Sequence, residues 1–172
     1  MIRKAVKDDL DAVEQSYIEL LTHEKEHGGT SNWMLGVYPT RETAAKACEK
    51  DTLYVMQEDD EICASVILNQ NQAEVYGQIL WEFAAEAEEV LVIHTLCIPP
   101  AKAGRGYGKK MVQFAVEAAR EKGCKVIRLD TFAGNNPAAA LYQKLGFRYA
   151  GKVATLHEGV IPEELIFFEK EV

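Results

Sequence analysis

Apolar positions recur along this chain with two periods, and the switches between them predict an order of strands and helices. Residues 1–6 form a first short strand. Asp8 or Asp9 can cap a helix whose Leu10, Val13, Tyr17, Leu20 and Leu21 fall on one face. Gly28-Gly29 end that helix after His27. Residues 28–39 are a loop rich in Gly, Ser and Asn, although it holds Trp33, Met34 and Tyr38. Thr40 can cap a second, short helix to about Lys50. Strands at 53–57 and 62–69 flank the acidic turn Glu58-Asp59-Asp60-Glu61, the pattern of a hairpin. Residues 70–89 show no clear period. The run Val90-Leu91-Val92-Ile93 begins a strand to Ile98 that is apolar on both faces, as for burial inside a sheet. A helix to about Lys122 turns Met111, Val112, Ala115, Val116 and Ala119 inward. A strand at 125–131, a helix from Pro137, and strands at 147–156 and 165–170 complete the order β-α-α-β-β-β-α-β-α-β-β.

With 172 residues, the chain suits a single domain over 1–172 with a sizeable core. Its net charge of −8 argues against a nucleic-acid partner, which would require a basic face, and mildly favours a cationic substrate. Cys48, Cys63, Cys97 and Cys124 are scattered without a C-x-x-C pair and read as reduced thiols. Met1-Ile2-Arg3-Lys4 leads into a strand rather than a signal peptide, and no apolar run reaches the ~18 residues of a membrane span. A cytoplasmic location with no membrane partner is therefore expected.

The chemistry concentrates after the strand at 90–98. Pro99-Pro100 stop it, and Ala101-Lys102-Ala103-Gly104-Arg105-Gly106-Tyr107-Gly108-Lys109 lead into a helix. Glycines let backbone N–H groups approach a ligand, and a helix start leaves such groups unpaired beside a partial positive charge. That combination binds phosphate. Two familiar phosphate loops do not fit. In G-x-G-x-x-G the last glycine would fall at Lys109. G-x-x-x-x-G-K-[ST] would require Gly at Ala103 and Ser or Thr at Lys110. A second element follows the strand at 125–131: Asn135-Asn136-Pro137-Ala138-Ala139-Ala140-Leu141-Tyr142-Gln143-Lys144-Leu145-Gly146-Phe147.

Over residues 90–150 the chain resembles the GCN5-related N-acetyltransferases. Gly106 and Gly108 match that family's [RQ]-x-x-G-x-[GA] loop. Asn135, Ala138, Leu141, Tyr142, Gly146 and Phe147 match its later N-x-x-A-x-x-L-Y-x-x-x-G-F. Ala103 departs from the pattern, standing where Arg or Gln is usual, which removes one side-chain contact but no backbone donor. The resemblance implies an α/β (α+β) fold: a mixed, mostly antiparallel twisted sheet of about seven strands flanked by helices. It also implies acetyl-CoA as cosubstrate, no metal, and direct transfer of acetyl to a primary amine of a small molecule or peptide. A homodimer would be ordinary for such a fold.

Carried over by position, the resemblance assigns cofactor binding to Gly104, Arg105, Gly106, Tyr107, Gly108 and Lys109. Leu96, Cys97 and Ile98 pair with the cofactor arm, and Asn135 hydrogen-bonds it. Arg105 and Lys109 also read as plain surface charges, and Asn135 as a helix-start residue. Tyr142 matches the tyrosine that protonates the departing thiolate, its other reading being a packed core tyrosine. For the base that deprotonates the amine, His94 is the first candidate. Strand alternation puts it on the side of Leu96 and Ile98, and an ordinary imidazole gives an acidic limb near pH 6–7.5. A core histidine is the other reading. Asp130 is the second candidate, alternatively an ion-pair partner of Arg128 or a capping residue. Trp33, Tyr38, Asn69, Tyr76 and Trp81 lie in segments that wall the acceptor pocket by the same resemblance, and each also reads as a packing residue.

Two rival functions stay open at this stage. One is an acyl-CoA-binding regulatory domain without transfer activity. The other is a zinc hydrolase, because His23-Glu24-Lys25-Glu26-His27 fits H-E-x-x-H. That match lies in a last helical turn cut off by glycines, where a buried metal wall cannot form.

Overall fold

The structure is a computed structural model describing residues 1–172. Seven strands form one open, mixed sheet in the order β1-β2-β3-β4-β5-β7-β6, flanked by four helices. The strands are β1 (Ile2–Lys4), β2 (Leu53–Glu58), β3 (Glu61–Asn69), β4 (Val90–Cys97), β5 (Val126–Phe132), β6 (Arg148–His157) and β7 (Ile161–Glu171). The helices are α1 (Leu10–His27), α2 (Arg41–Glu49), α3 (Tyr107–Glu121) and α4 (Asn136–Lys144). The chain divides into two compact units: 1–29, 33–68 and 95–114 in the first; 30–32, 69–94 and 115–172 in the second.

In the first unit, β1, β2 and β3 pair antiparallel. The β2–β3 hairpin closes through Asp59 and Asp60, both at positive φ (48° and 63°), the backbone of a two-residue turn whose twist matches the strands. Leu10, Val13, Tyr17 and Leu21 of α1 are buried, as their spacing requires, and the first three pack with Ala44, Ala47, Leu53, Val55 and Cys97. Each such side chain contributes about 1.5–3 kcal/mol. The start of α1 differs from expectation. Residues Lys7–Asp9 form a short 3-10 turn, and the Asp9 carboxylate accepts from Val6 N at 2.8 Å while gripping Arg3 at 2.7 and 2.9 Å. The guanidinium holds the Asp9 carboxyl below its ordinary range, against the opposing pull of burial. At α2 the expected cap works in reverse: Thr43 Oγ1 accepts from Thr40 N at 3.0 Å.

In the second unit, β4 runs parallel to β5 from Val90↔Val126 to Ile93↔Leu129, and β7 lies antiparallel between β5 and β6. Register and alternation set Arg128, Asp130 and Phe132 of β5 on one face with Leu165, Phe167 and Glu169 of β7. Residues 70–89, which carry no period, lie on that face: Tyr76 and Ile79 pack with Val90, Val92, Leu165 and Phe167. Buried charge fixes this segment. Glu169, fully buried, accepts from Glu82 N at 2.7 Å and from Arg148 Nη1 at 3.2 Å. Arg128 donates to Gln72 Oε1 at 2.7 Å and Phe83 O at 3.0 Å, with the Trp81 ring 4.2 Å away.

Candidate active site

The phosphate-type loop lies in the first unit. After β4, a 3-10 turn at Pro100–Lys102 is followed by Gly104 and Gly106 at φ 75° and 77°, conformations that residues with a Cβ rarely adopt. The helical ladder of α3 begins with Lys110 N donating to Gly106 O at 3.1 Å. The N–H groups of Tyr107, Gly108 and Lys109 therefore have no carbonyl within the helix. Arg105 and Lys109 are exposed beside them. One feature of the loop is illegible in the sequence. Tyr107 Oη donates to Glu58 Oε2 at 2.6 Å, Lys110 lies 3.6 Å from Glu58, and Lys102 pairs with Glu61. The acidic hairpin turn thus latches both ends of the loop, and the Glu58 carboxylate raises the Tyr107 phenol's pKa. Opposite charge in two segments some forty residues apart was the one available signal.

Thr95, late on β4, has φ +49°, left-handed for a β-branched residue and so a strained point in the strand. Its hydroxyl is hydrogen-bonded to Tyr38 Oη, and Trp33 stands edge-on to Tyr38 at 5.9 Å. Beyond Thr95, Leu96 and Ile98 are half-buried. Cys97 is sealed in, its thiol donating to Ser16 O at 3.8 Å and pushed up to about 12 by burial, so it is no nucleophile.

The second unit gathers the residues expected to do acid–base work. His94 and Asp130 lie on one face of the sheet, since Val92 pairs with Arg128 and alternation carries both strands forward. The β4–β5 ladder stops at Ile93↔Leu129 although both strands run on. His94 Nε2 donates to Asn69 Oδ1 at 2.8 Å, and burial lowers the imidazole to about 4. An acidic limb from this group would fall there, not at the pH 6–7.5 expected of an ordinary histidine. Asp130 Oδ2 accepts from Tyr76 Oη at 2.6 Å, its other oxygen has no protein partner, and burial raises its carboxyl. It makes no ion pair with Arg128. Trp81 Nε1 donates to Tyr76 O at 3.0 Å, which ties two of the expected pocket residues together. Tyr142 is buried between Phe147 and Phe168, at 5.6 and 6.0 Å, and its hydroxyl has no protein hydrogen-bond partner. Burial, with Asp130 second, raises its pKa, so the phenol keeps its proton at neutral pH. Asn135 Oδ1 accepts from Ala138 N at 3.2 Å and so caps α4, leaving only its amide NH2 for a cofactor.

A profile of the acetyltransferase (GNAT) family matches residues 15–147. The chain belongs to the GNAT acetyltransferase family. Among its relatives is an uncharacterized N-acetyltransferase, YesJ of Bacillus subtilis, 27% identical over 124 residues; the match covers 72% of this chain but only 63% of YesJ. Two of the solved structures that share the fold show how far the likeness extends. A GNAT-family acetyltransferase from Streptococcus agalactiae superposes with a TM-score of 0.84 at 22% identity, covering 100% of this chain and 95% of that one. The protein yncA from Salmonella typhimurium, solved with its cofactor acetyl-CoA, gives 0.70 at 18% identity, covering 99% and 92%. In α1, the H-E-x-x-H histidines stack on each other at 4.4 Å in the final turns, with His27 Nδ1 3.1 Å from His23 O. No helix is long and apolar enough to cross a membrane.

Proposed function

We propose that this GNAT protein is an acetyl-CoA-dependent N-acetyltransferase acting on the primary amine of a small molecule or peptide by direct transfer. The observation that carries the reading is the loop of left-handed Gly104 and Gly106 before α3, whose first N–H groups have no helical partner. These donors, with Arg105 and Lys109, fit a pyrophosphate. The acetyl-CoA bound in yncA supports the assignment. When bound, acetyl-CoA supplies an activated acetyl thioester.

The chain's own residues divide the proton work. Tyr142 keeps its proton and offers its unpartnered hydroxyl as a hydrogen-bond donor that steadies the departing sulfur; its raised pKa favours that role over full proton transfer to a thiolate of pKa near ~8.5. Asp130 is the better-matched base. Its raised carboxyl and free oxygen suit proton acceptance, whereas His94 at about 4 stays neutral but is weakly basic. Tyr76 orients Asp130 through its hydroxyl hydrogen bond. Thr95, held by Tyr38, sets the backbone direction late on β4, where the reading places the cofactor arm. The test is a thermal-shift titration with acetyl-CoA, followed by a primary-amine panel monitored by CoA release. Stabilisation of about 1–3 kcal/mol at saturation is expected. No shift with either acetyl-CoA or CoA sinks the reading.

A further inference from the structure

The face of β5, β7 and β6 that carries Asp130 also carries a second inward carboxylate. Glu163 alternates with Leu165, Phe167 and Glu169 along β7, and only 3% of its side chain is exposed. It pairs across the ladder with Thr155 of β6. The bulge between Tyr149 and Gly151 puts Gly151, Val153, Thr155 and His157 on the same face. His157 Nδ1 lies 3.2 Å from Glu163 Oε1. Asp130, Glu163 and His157 feel one another's charge. No lysine or arginine pairs with either carboxylate, because Arg128 and Arg148 are engaged further along with Gln72, Phe83, Glu82 and Glu169. The imidazole that faces these two sequestered carboxylates also has Glu158 Oε1 3.6 Å from its Nε2, so carboxylate charge exceeds what it balances, an arrangement that an entering cation relieves.

A second observation points the same way. Tyr142 reaches this region from α4, is only 5% exposed, and leaves its hydroxyl without any protein partner. It is electrostatically coupled to both Asp130 and Tyr76. A phenol that bonds to nothing in the protein leaves its oxygen open to a ligand or to water. Asp130 stands opposite Phe167, four residues along β7 from Glu163, so the carboxylates are spread along the strand rather than stacked at one point.

We infer that Asp130 and Glu163 read the acceptor as a polycation: an alkyl amine carrying a second ammonium group, in preference to an amine carrying a carboxylate. This rests on the reading of the same site as an amine-acetylating one. The test is calorimetric titration of the full chain with putrescine, butylamine and γ-aminobutyrate, which differ only in the end group. Putrescine is expected to bind about tenfold tighter than butylamine, with γ-aminobutyrate weakest. Glu163→Gln, checked for an unchanged melt, should erase that gap, and the charge-keeping Glu163→Asp should retain most of it. His157→Asn should tighten putrescine binding, because it removes the internal counter-charge; a merely structural histidine would weaken it. Equal or tighter binding of γ-aminobutyrate, or a gap that survives Glu163→Gln, overturns the inference. Putrescine binding that depends on Glu163, without CoA release from acetyl-CoA, supports the cation site and counts against the transfer reading instead.

Discussion

Glu169→Ala should be the most damaging single change outside the reacting groups. Glu169 is 0% exposed and holds residues 70–89, the segment bearing Tyr76, against the sheet. Its loss orphans Glu82 N and the longer-bonded Phe83 N, at 2.7 and 3.4 Å, and removes the carboxylate that accepts from Arg148 Nη1 at 3.2 Å. Each orphaned donor costs about 1–3 kcal/mol, and the loss of the ion pair to the partly exposed Arg148 adds about 1 kcal/mol. These overlap, so the net expectation is about 4 kcal/mol rather than the sum. At about 2–4 °C per kcal/mol for a chain of this size, the midpoint should fall by roughly 8–16 °C. Glu169→Gln keeps an oxygen for Glu82 N and should lose about half as much. Urea and thermal melts measure both, and hydrogen exchange at Glu82 and Tyr76 reports the segment directly. A loss under about 1 kcal/mol in Glu169→Ala, with unchanged exchange at Tyr76, would refute the reasoning.

Gly106→Asp should abolish acetyl-CoA binding, while Arg105→Ala lowers affinity only a few-fold by calorimetry, because in the proposed reading the left-handed backbone and its N–H groups form the cradle; equal damage from both would shift the binding to the side chain. In the kcat/KM profile, Asp130→Asn should remove an acidic limb lying above the ordinary carboxylate range, and a folded His94→Gln should leave it in place. A limb lost with His94→Gln instead would make the imidazole the base. Asp9→Asn should cost about 1–2 kcal/mol at pH 7 through lost charged hydrogen bonds to Arg3 and Val6 N. Asp9 has a depressed folded pKa, so its contribution is complete above the unfolded value near ~3.9 and is lost as pH falls through the lower folded value. The gap between wild type and Asp9→Asn should therefore close in acid melts; a pH-independent gap would contradict it.

Most elements were legible because their burial is one-sided or complete. The stripe from Leu10 to Leu21 and the run from Val90 to Ile93 state their periods openly, and both are where the periods put them. Residues 70–89 were not, because partners 40 to 90 residues distant place them: Arg128 and Glu169 look like ordinary strand charges in sequence. The last strand is expected over 165–170, where the apolar run Leu165-Ile166-Phe167-Phe168 stands. In the structure β7 begins at Ile161, with Pro162 at its very start, a position that proline tolerates, and Glu163 turned inward. Within the site, residue types were readable and their states were not. The tyrosine at 142 is legible from its motif, but its lack of a partner and the depression of His94 to about 4 arise from burial, which no local pattern carries.

The most direct test is a product assay: acetyl-CoA plus an alkyl diamine, with N-acetylated amine and released CoA quantified together for wild type and Tyr142→Phe. The account predicts the two products in equal amounts from wild type. It predicts turnover lower by about 10- to 1000-fold in Tyr142→Phe, with acetyl-CoA affinity nearly unchanged. Bound acetyl-CoA with no acetylated amine from wild type, or full turnover in Tyr142→Phe, would contradict it.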